Sequence, residues 1–348
     1  MNRYASIVGW GYALPRKVLT NHELAQMVDT SDEWIRSRTG ITERRVIGPG
    51  ESTASLAKEA GERALEVAGI SAEDLDVIIV ATITPDYPFP SVAAMVQDGL
   101  GATRAGAFDL NAACAGFVYG LSVGTQLVTS GMNRNVLIIG SDTLSQVIDW
   151  TDRSTCVLFG DGAGAAVIQA TDQPAGIQSS VLGSDGSGFD HLIVPAGGSL
   201  EPASRDTVDG RKHYLKMNGN EVYRFAVTAM TRSTAQAIKQ ANLGSEDIDL
   251  FIPHQANMRI IRSAARALNL PADRVFTNVD RYGNTSSASI PIALCEAIES
   301  GLVQPGHNIA LVGFGAGLTW AAGVVRWTAE PVVNAASDGR LLAETVLS

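Results

Sequence analysis

A stretch in the first half of the chain returns in the second. RALEVAGISAEDLDVIIVAT begins at Arg63 and QAIKQANLGSEDIDLFIPHQ begins at Gln236, an offset of 173. In that register Ala64 meets Ala237, Ala68 meets Ala241, and Glu73, Asp74 and Asp76 meet Glu246, Asp247 and Asp249. The register runs on without a gap through Asn111 and Asn284, Ala115 and Ala288, Asn135 and Asn308, and Gly140 and Gly313. Ser6, Ile7, Val8 and Gly9 match Ser180, Val181, Leu182 and Gly183 with a one-residue slip. Chance gives one such match; a register shared by three segments argues for duplication. Coincidence among common helix–turn–strand sequences is the weaker alternative.

Each half alternates strand and helix. Thr20 and Glu23 have capping-box spacing, as do Thr30 and Glu33. Leu56, Ala60, Ala64, Val67 and Ala68 form one helical face, and Gly69 is placed to end that helix. The short unbroken apolar runs 77–81, 136–139, 250–252 and 309–312 suit strands covered on both faces. The expectation is an α/β fold of two pseudo-repeated halves, 1–174 and 175–327. Each would hold a mostly parallel sheet, with helices between and outside. Residues 328–348 carry no pattern and read as a peripheral tail.

Net charge is −10, which disfavours nucleic-acid binding through bulk charge. No run approaches the ~18 apolar residues of a membrane helix, and the first fifteen residues lack a signal-peptide core, so the cytoplasm is the expectation. Cys114, Cys156 and Cys295 are too scattered for a disulfide framework or a zinc site.

Open α/β sheets bind ligands at the carboxyl ends of their strands, so those ends are where the two halves deserve comparison. In DLNAACAGFVYG, residues 109–120, a strand runs into a helix that starts near Cys114. Small residues allow a tight turn there, and a helix N-terminus favours a thiolate. A lone cysteine is more often inert core; this placement reverses that preference for Cys114 and leaves it for Cys156 and Cys295. In FIPHQAN, residues 251–257, His254 stands at the repeat position of Ala81, just past a strand. It is placed as acid, base or donor, or else as a structural histidine. In RYGNTSSASIP, residues 281–291, Asn284 corresponds to Asn111 and Ser287 to Cys114. Asn284 could cap a helix, and a pseudo-twofold would also bring it, His254 and Cys114 to one pocket.

Two glycine-rich stretches differ. GFGAG, residues 313–317, follows a strand and offers the exposed N–H groups of an oxyanion hole. GDGAGA, residues 160–165, has dinucleotide-site spacing on paper, but an apolar strand follows where a helix is needed. Close packing is the reading for it.

Taken together, VDTSDEWI (28–35), RTGI (38–41), ACAGF (113–117), TDR (151–153), FGDGAGAAV (159–167), GNEV (219–222), PHQAN (253–257), GNTSSAS (283–289) and GAGLTW (315–320) make the chain resemble the thiolase-fold condensing enzymes, and among them the β-ketoacyl-[acyl-carrier-protein] synthase III family, over about its first 327 residues. The resemblance implies a thiolase-like α-β-α-β-α layered core. It also implies a decarboxylative Claisen condensation. Cys114 takes an acyl group from acetyl-coenzyme A or another short acyl-coenzyme A. His254 and Asn284 then hold the enolate formed from malonyl-acyl-carrier protein. The backbone N–H groups of Cys114 and Ala316 form the oxyanion hole; relatives often have Gly at the latter position. Coenzyme A is assigned Thr30, Trp34, Arg38, Arg153 and Asn257, with adenine between Trp34 and Arg153. The acyl pocket is assigned Phe89, from a partner in a homodimer, and Phe314. No cofactor or metal is implied; the coenzyme A thioester is a substrate.

A ketosynthase or acyltransferase of secondary metabolism with another primer stays open. A cysteine peptidase and a silent partner subunit are weaker: the coenzyme A motifs speak against the first and the presence of Cys114 against the second. One surface reading comes from spacing. Arg259, Arg262 and Arg266 share a helical face with no acid in 256–272, and Arg224 extends it. That face is expected to dock the acidic carrier protein, the alternative being an ordinary solvated face.

Overall fold

The structure, a computed structural model, describes residues 3–330 and 340–344. Nine strands among them form one sheet: β1 (Tyr4–Ala13), β2 (Val77–Ala81), β3 (Gly106–Leu110), β4 (Asn135–Thr143), β5 (Asp161–Thr171), β6 (Gly176–Ser184), β7 (Leu250–Pro253), β8 (Asn308–Gly315) and β9 (Thr319–Arg326). The helices that matter here are α1 (Asp32–Thr39), α2 (Thr53–Ala68), α3 (Val92–Leu100), α4 (Gly116–Thr129), α5 (Gly219–Gln240), α6 (Met258–Ala267) and α7 (Ser289–Glu299). Spatial order is β7-β8-β9-β6-β1-β5-β4-β2-β3. The two halves meet at the single parallel pair of Ala5 and Gly176. Outward from that joint, β1-β5-β4-β2 mirrors β6-β9-β8-β7.

The repeat is physical. In the first half Asp76 Oδ2 accepts from the Asn135 N–H at 3.0 Å, and Asn135 Nδ2 donates to Asp74 O at 2.8 Å. In the second half Asp249 Oδ2 accepts from the Asn308 N–H at 2.8 Å, and Asn308 Nδ2 donates to Asp247 O at 3.0 Å. Each clasp ties the loop before one strand to the start of its neighbour. Of the acids that match between the halves, Asp76 and Asp249 hold these clasps with their side chains, and Asp74 and Asp247 with their carbonyls.

Burial follows the alternation of the strands. Ile78, Val80, Leu137 and Ile139 pack outward with α2 and α3, and Ile79, Val136 and Ile138 pack inward. In the second half Leu250, Ile252, Ile309 and Leu311 join that same inner cluster, while Phe251, Ala310 and Val312 pack outward with α5 and α6. Helices α4 and α7 lie between. This is the five-layer thiolase arrangement, and it puts the N-termini of α4 and α7 at the centre of the molecule.

Several expectations need correction. The sheet is mixed, not mostly parallel: β4 and β5, β5 and β1, β8 and β9, and β9 and β6 run antiparallel. Three residues link β8 to β9, too few for a parallel crossover. Thr20 and Glu23 do form a capping box, but α1 is capped by Ser31, whose side chain accepts from the Trp34 N–H at 3.1 Å. The Thr30 hydroxyl is buried beside it. Gly69 ends α2 at φ 65°. Part of the 328–348 segment lies outside the described residues. Arg340–Leu341 pairs antiparallel with Phe276–Thr277, and the Leu342 N–H donates to Val275 O at 2.7 Å.

Candidate active site

Past β3 the chain makes one 3-10 turn, Ala113–Ala115, and enters α4. Ala113 takes a left-handed φ of 47°, a strained choice for a residue with a Cβ. The turn throws Cys114 toward the second half, where β8 runs directly beneath it. A Cβ on Gly315 would lie 2.6 Å from the Cys114 backbone nitrogen, and one on Gly313 would lie 2.9 Å from Cys114 O. Gly313 and Gly315 of GFGAG are thus required by the approach of β8 to the nucleophile turn.

The second half repeats the device 173 residues on. Ser286 has φ 52°, the turn is Ser286–Ala288, and α7 follows. Ser287, the counterpart of Cys114, is tied into the frame: its Oγ donates to Asp142 Oδ2 at 2.6 Å and its N–H at 3.0 Å. The other oxygen of Asp142 accepts from Thr82 Oγ1, the Ile83 N–H and Thr84 Oγ1 at 3.0, 2.8 and 3.0 Å. Asp142 therefore welds the halves beside the site. Asn284 Oδ1 accepts from the Ser286 N–H at 2.9 Å, which leaves Nδ2 as the side chain's donor. Ser286 Oγ accepts from the Cys114 thiol at 3.3 Å.

His254 follows β7 directly. Its N–H donates to Val312 O at 2.8 Å, and its ring meets Phe314 edge-on at 5.2 Å. Both ring nitrogens are buried and have no partner among the described residues, as suits groups that wait for a substrate. Gln255 is buried structure: Nε2 donates to Pro253 O at 2.8 Å, and Oε1 accepts from the Asn278 N–H at 3.0 Å.

Cys114, His254 and Asn284 line one cavity of about 210 Å³, walled by Val222, Phe225, Ile260 and Phe314. A second cavity of about 310 Å³ also reaches Cys114 and is lined by Ile83, Leu144, Leu215, Ala316 and Gly317 among others. Cys114 thus lines both chambers. Phe314 lines the chamber of His254. Phe89 lines neither; it is 86% exposed.

Burial sets the charges. It pushes the Cys114 thiol up to about 12, with the charge of Asp142 acting the same way and the Ser286 hydrogen bond acting against both. This is opposite to the direction read from the helix N-terminus. At 5% exposure the lost hydration of a thiolate outweighs the helix end. Burial pushes His254 down to about 3, so its imidazole is neutral and offers one N–H. Cys156 and Cys295 are fully buried core residues.

At the outer mouth, the Arg38 and Arg153 guanidinium carbons lie 5.1 and 5.0 Å from the Trp34 ring centre. Arg153 donates to Asp29 O at 2.8 Å and lies over the Trp34 ring. Asn257 caps α6 and joins this cluster to the cavity, its Nδ2 donating to Arg38 O at 3.3 Å. Arg259 and Arg266 are exposed on α6 and Arg262 is half-buried; Arg224 pairs with Glu221 at 2.9 Å. Asp142 and Ser286 escaped the sequence reading. A signal existed for Ser286: it faces Ala113 in the repeat register, a hydroxyl where the first half has a methyl.

Comparison with known proteins points one way. A family profile described as 3-oxoacyl-[acyl-carrier-protein (ACP)] synthase III matches residues 108–186, and one described as the C terminal of that synthase matches residues 238–327. The chain is 54% identical over 329 residues to the β-ketoacyl-[acyl-carrier-protein] synthase III of Roseiflexus sp. (strain RS-1), covering 94% of this chain and 100% of the relative. The crystal structure of 3-oxoacyl-[acyl-carrier-protein] synthase III from Aquifex aeolicus VF5 superposes with a TM-score of 0.86 at 44% identity, covering 93% of this chain and 100% of that one. The priming β-ketosynthase from the R1128 polyketide biosynthetic pathway superposes at 0.87 with 37% identity, covering 95% and 98%.

Proposed function

The chain belongs to the 3-oxoacyl-[acyl-carrier-protein] synthase III family of acyl-transferring condensing enzymes, and from that premise we propose that it joins an acyl-coenzyme A primer to malonyl-acyl-carrier protein with loss of carbon dioxide. The observation that carries the reading is the single cavity where Cys114 from the 1–174 half meets His254 and Asn284 from the 175–327 half. Cys114 attacks the primer thioester, and its proton leaves on the coenzyme A thiol. The N–H groups of Cys114 and Ala316 receive the oxyanion; a backbone donor works as well from Ala as from Gly. The malonyl thioester then enters, and a neutral His254 N–H and Asn284 Nδ2 donate to its oxygen. The apolar walls disfavour the hydrated carboxylate, carbon dioxide leaves, and the carbanion attacks the acyl carbon on Cys114; the C–S bond breaks, the 3-ketoacyl carrier departs, and the Cys114 thiolate takes a proton from solvent. This chemistry uses the chain's own groups and calls for no cofactor. Incubation with mixed acyl-coenzyme A, then malonyl-carrier protein, tests it: an acyl adduct on Cys114 followed by a 3-ketoacyl carrier supports the reading, and an adduct elsewhere sinks it.

Likeness to a priming ketosynthase of polyketide synthesis keeps a second reading, the same condensation with a different primer. The masses of the competing adducts decide between them.

The coenzyme A moiety is proposed to lie along Thr30, Trp34, Arg38, Arg153 and Asn257, and the acyl chain in the chamber beyond Cys114. The chain is proposed to work in the cytoplasm as a homodimer. The sheet ends on the thin strand β3, where Phe108 is 40% exposed, and Phe89 stands in solvent nearby in sequence. An unpaired edge beside exposed aromatics suits a second copy. Phe89 of one protomer would then close the acyl chamber of its partner. Phe89→Ala should shift relative kcat/KM toward longer acyl-coenzyme A by about tenfold, since a ring's volume is several methylenes. An unchanged chain-length profile removes Phe89 from the chamber.

The carrier protein is proposed to dock on α6, which starts four residues after His254. Arg259 also donates to Ser37 O at 2.8 Å, so Arg266→Glu is the cleaner reversal. It should raise KM for malonyl-carrier protein about tenfold at low salt and leave acylation by acetyl-coenzyme A nearly intact. A parent-like KM would move the docking face elsewhere.

A further inference from the structure

Three consecutive hydroxyls stand at the turn before α7, and two of them serve the frame. Thr285 Oγ1 and Ser289 Oγ pair at 2.9 Å, and Ser287 holds Asp142. Ser286 does neither: its Oγ meets the Cys114 sulfur. The turn itself does not ask for that hydroxyl. Ala113, its counterpart in the first half, takes the same left-handed conformation, φ 47° against 52°, with only a methyl group. The main chain of Ser286 has a second task, donating its N–H to Asn284 Oδ1 at 2.9 Å. One residue thus touches the nucleophile with its side chain and sets the amide of Asn284 with its backbone.

We propose that Ser286 is the positioning residue of this site: its hydroxyl holds the Cys114 sulfur in place and donates to it as charge builds during attack, while its N–H keeps Asn284 Nδ2 turned toward the malonyl oxygen. The inference rests on the reading of Cys114 as nucleophile and deepens it. A hydroxyl is suited to both phases, since it accepts from a neutral thiol and donates to a thiolate by rotating one bond. Ser286 is fully buried and Cys114 nearly so, which shields the contact from competing water and strengthens it when the sulfur is charged. In a site where burial pushes the thiol up, the Ser286 hydroxyl is the side-chain contact that acts the other way.

The test is alkylation of Cys114 by iodoacetamide from pH 6 to 10, read by peptide mass spectrometry, in the parent, Ser286→Ala and Ser286→Gly, with Cys114→Ala as blank. Alanine fits this backbone, as Ala113 demonstrates, and glycine relaxes it. The expected result is that both variants alkylate about tenfold more slowly at pH 8, with profiles displaced upward by about one pH unit. Single-turnover acylation should fall by the same factor, with KM for acetyl-coenzyme A unchanged. A parent-like profile in Ser286→Ala overturns the proposal. So does a shift in Ser286→Gly alone, which would trace the effect to the backbone. An acyl adduct that persists in Cys114→Ala sinks the underlying reading instead, whatever the serine variants do.

Discussion

Cys114→Ala should leave the chain unable to take an acyl group. After incubation with acetyl-coenzyme A the parent gains one acetyl mass and the variant none, a loss of more than about a thousandfold in acylation rate. The argument is positional. All three thiols are buried, but Cys156 and Cys295 sit in apolar clusters, while Cys114 lines both chambers. Alanine at 114 is small and matches its neighbours Ala113 and Ala115, so the turn survives the change. The charge state adds a second signature. Burial pushes the Cys114 thiol up to about 12, so the thiolate fraction climbs through the whole working range. Alkylation of Cys114 should therefore rise about tenfold per pH unit from 7 to 9 without a plateau. A plateau near neutrality would mean that a pre-formed thiolate waits in the site. An acetyl adduct on the alanine variant would place the nucleophile elsewhere.

What the sequence displayed and what it concealed divide along contact range. Asp74, Asp76 and Asn135, which matched Asp247, Asp249 and Asn308 at offset 173, proved to be the clasps that set register in both halves, so the repeat carried the architecture. Gly69 was readable because a helix end needs a left-handed residue, and the apolar runs because strands in a five-layer core are covered on both faces. Strand direction was not readable. Apolar runs have no polarity, and the antiparallel return of β9 depends on a three-residue link within GAGLTW. Cys114, His254 and Asn284 could be placed at strand and helix ends, where chemistry gathers. Their shared cavity needed the pseudo-twofold. Asp142 lies at the end of β4 in a run of small polar residues and reveals its role only across the interface, where five donors from two segments, 82–84 and Ser287, converge on it. The thiol was misjudged because the helix end was visible in sequence and the burial was not. Thr30 was taken for a cap one residue early, since Ser31 serves equally and only the geometry chooses. The strand Arg340–Leu341 is two residues long, below any periodic signal.

His254→Ala and Asn284→Ala should separate the two half-reactions. Each residue is assigned one donor to the malonyl oxygen and none to the primer. Losing one donor at a developing oxyanion costs ~3–4 kcal/mol, so release of carbon dioxide from malonyl-carrier protein should fall roughly 10²- to 10³-fold in either variant. Acylation of Cys114 by acetyl-coenzyme A should fall far less, because its oxyanion is held by backbone N–H groups that neither substitution removes. The two variants should also differ. The Asn284 side chain anchors the Ser286 N–H, so its loss loosens the turn that touches the sulfur and should slow acylation somewhat. His254 holds its place through its main chain and an aromatic edge, so its loss should spare acylation more fully. Because burial pushes the imidazole down to about 3, the histidine donates as a neutral group from pH 5 upward, and decarboxylation should show no acid limb from it in that range. Rapid-quench acylation and release of labelled carbon dioxide, measured separately from pH 5 to 9, decide the matter. Equal losses in both steps would mean that His254 acts first as the base that takes the Cys114 proton, and an acid limb near pH 6 would mean that the imidazole is charged in the free enzyme.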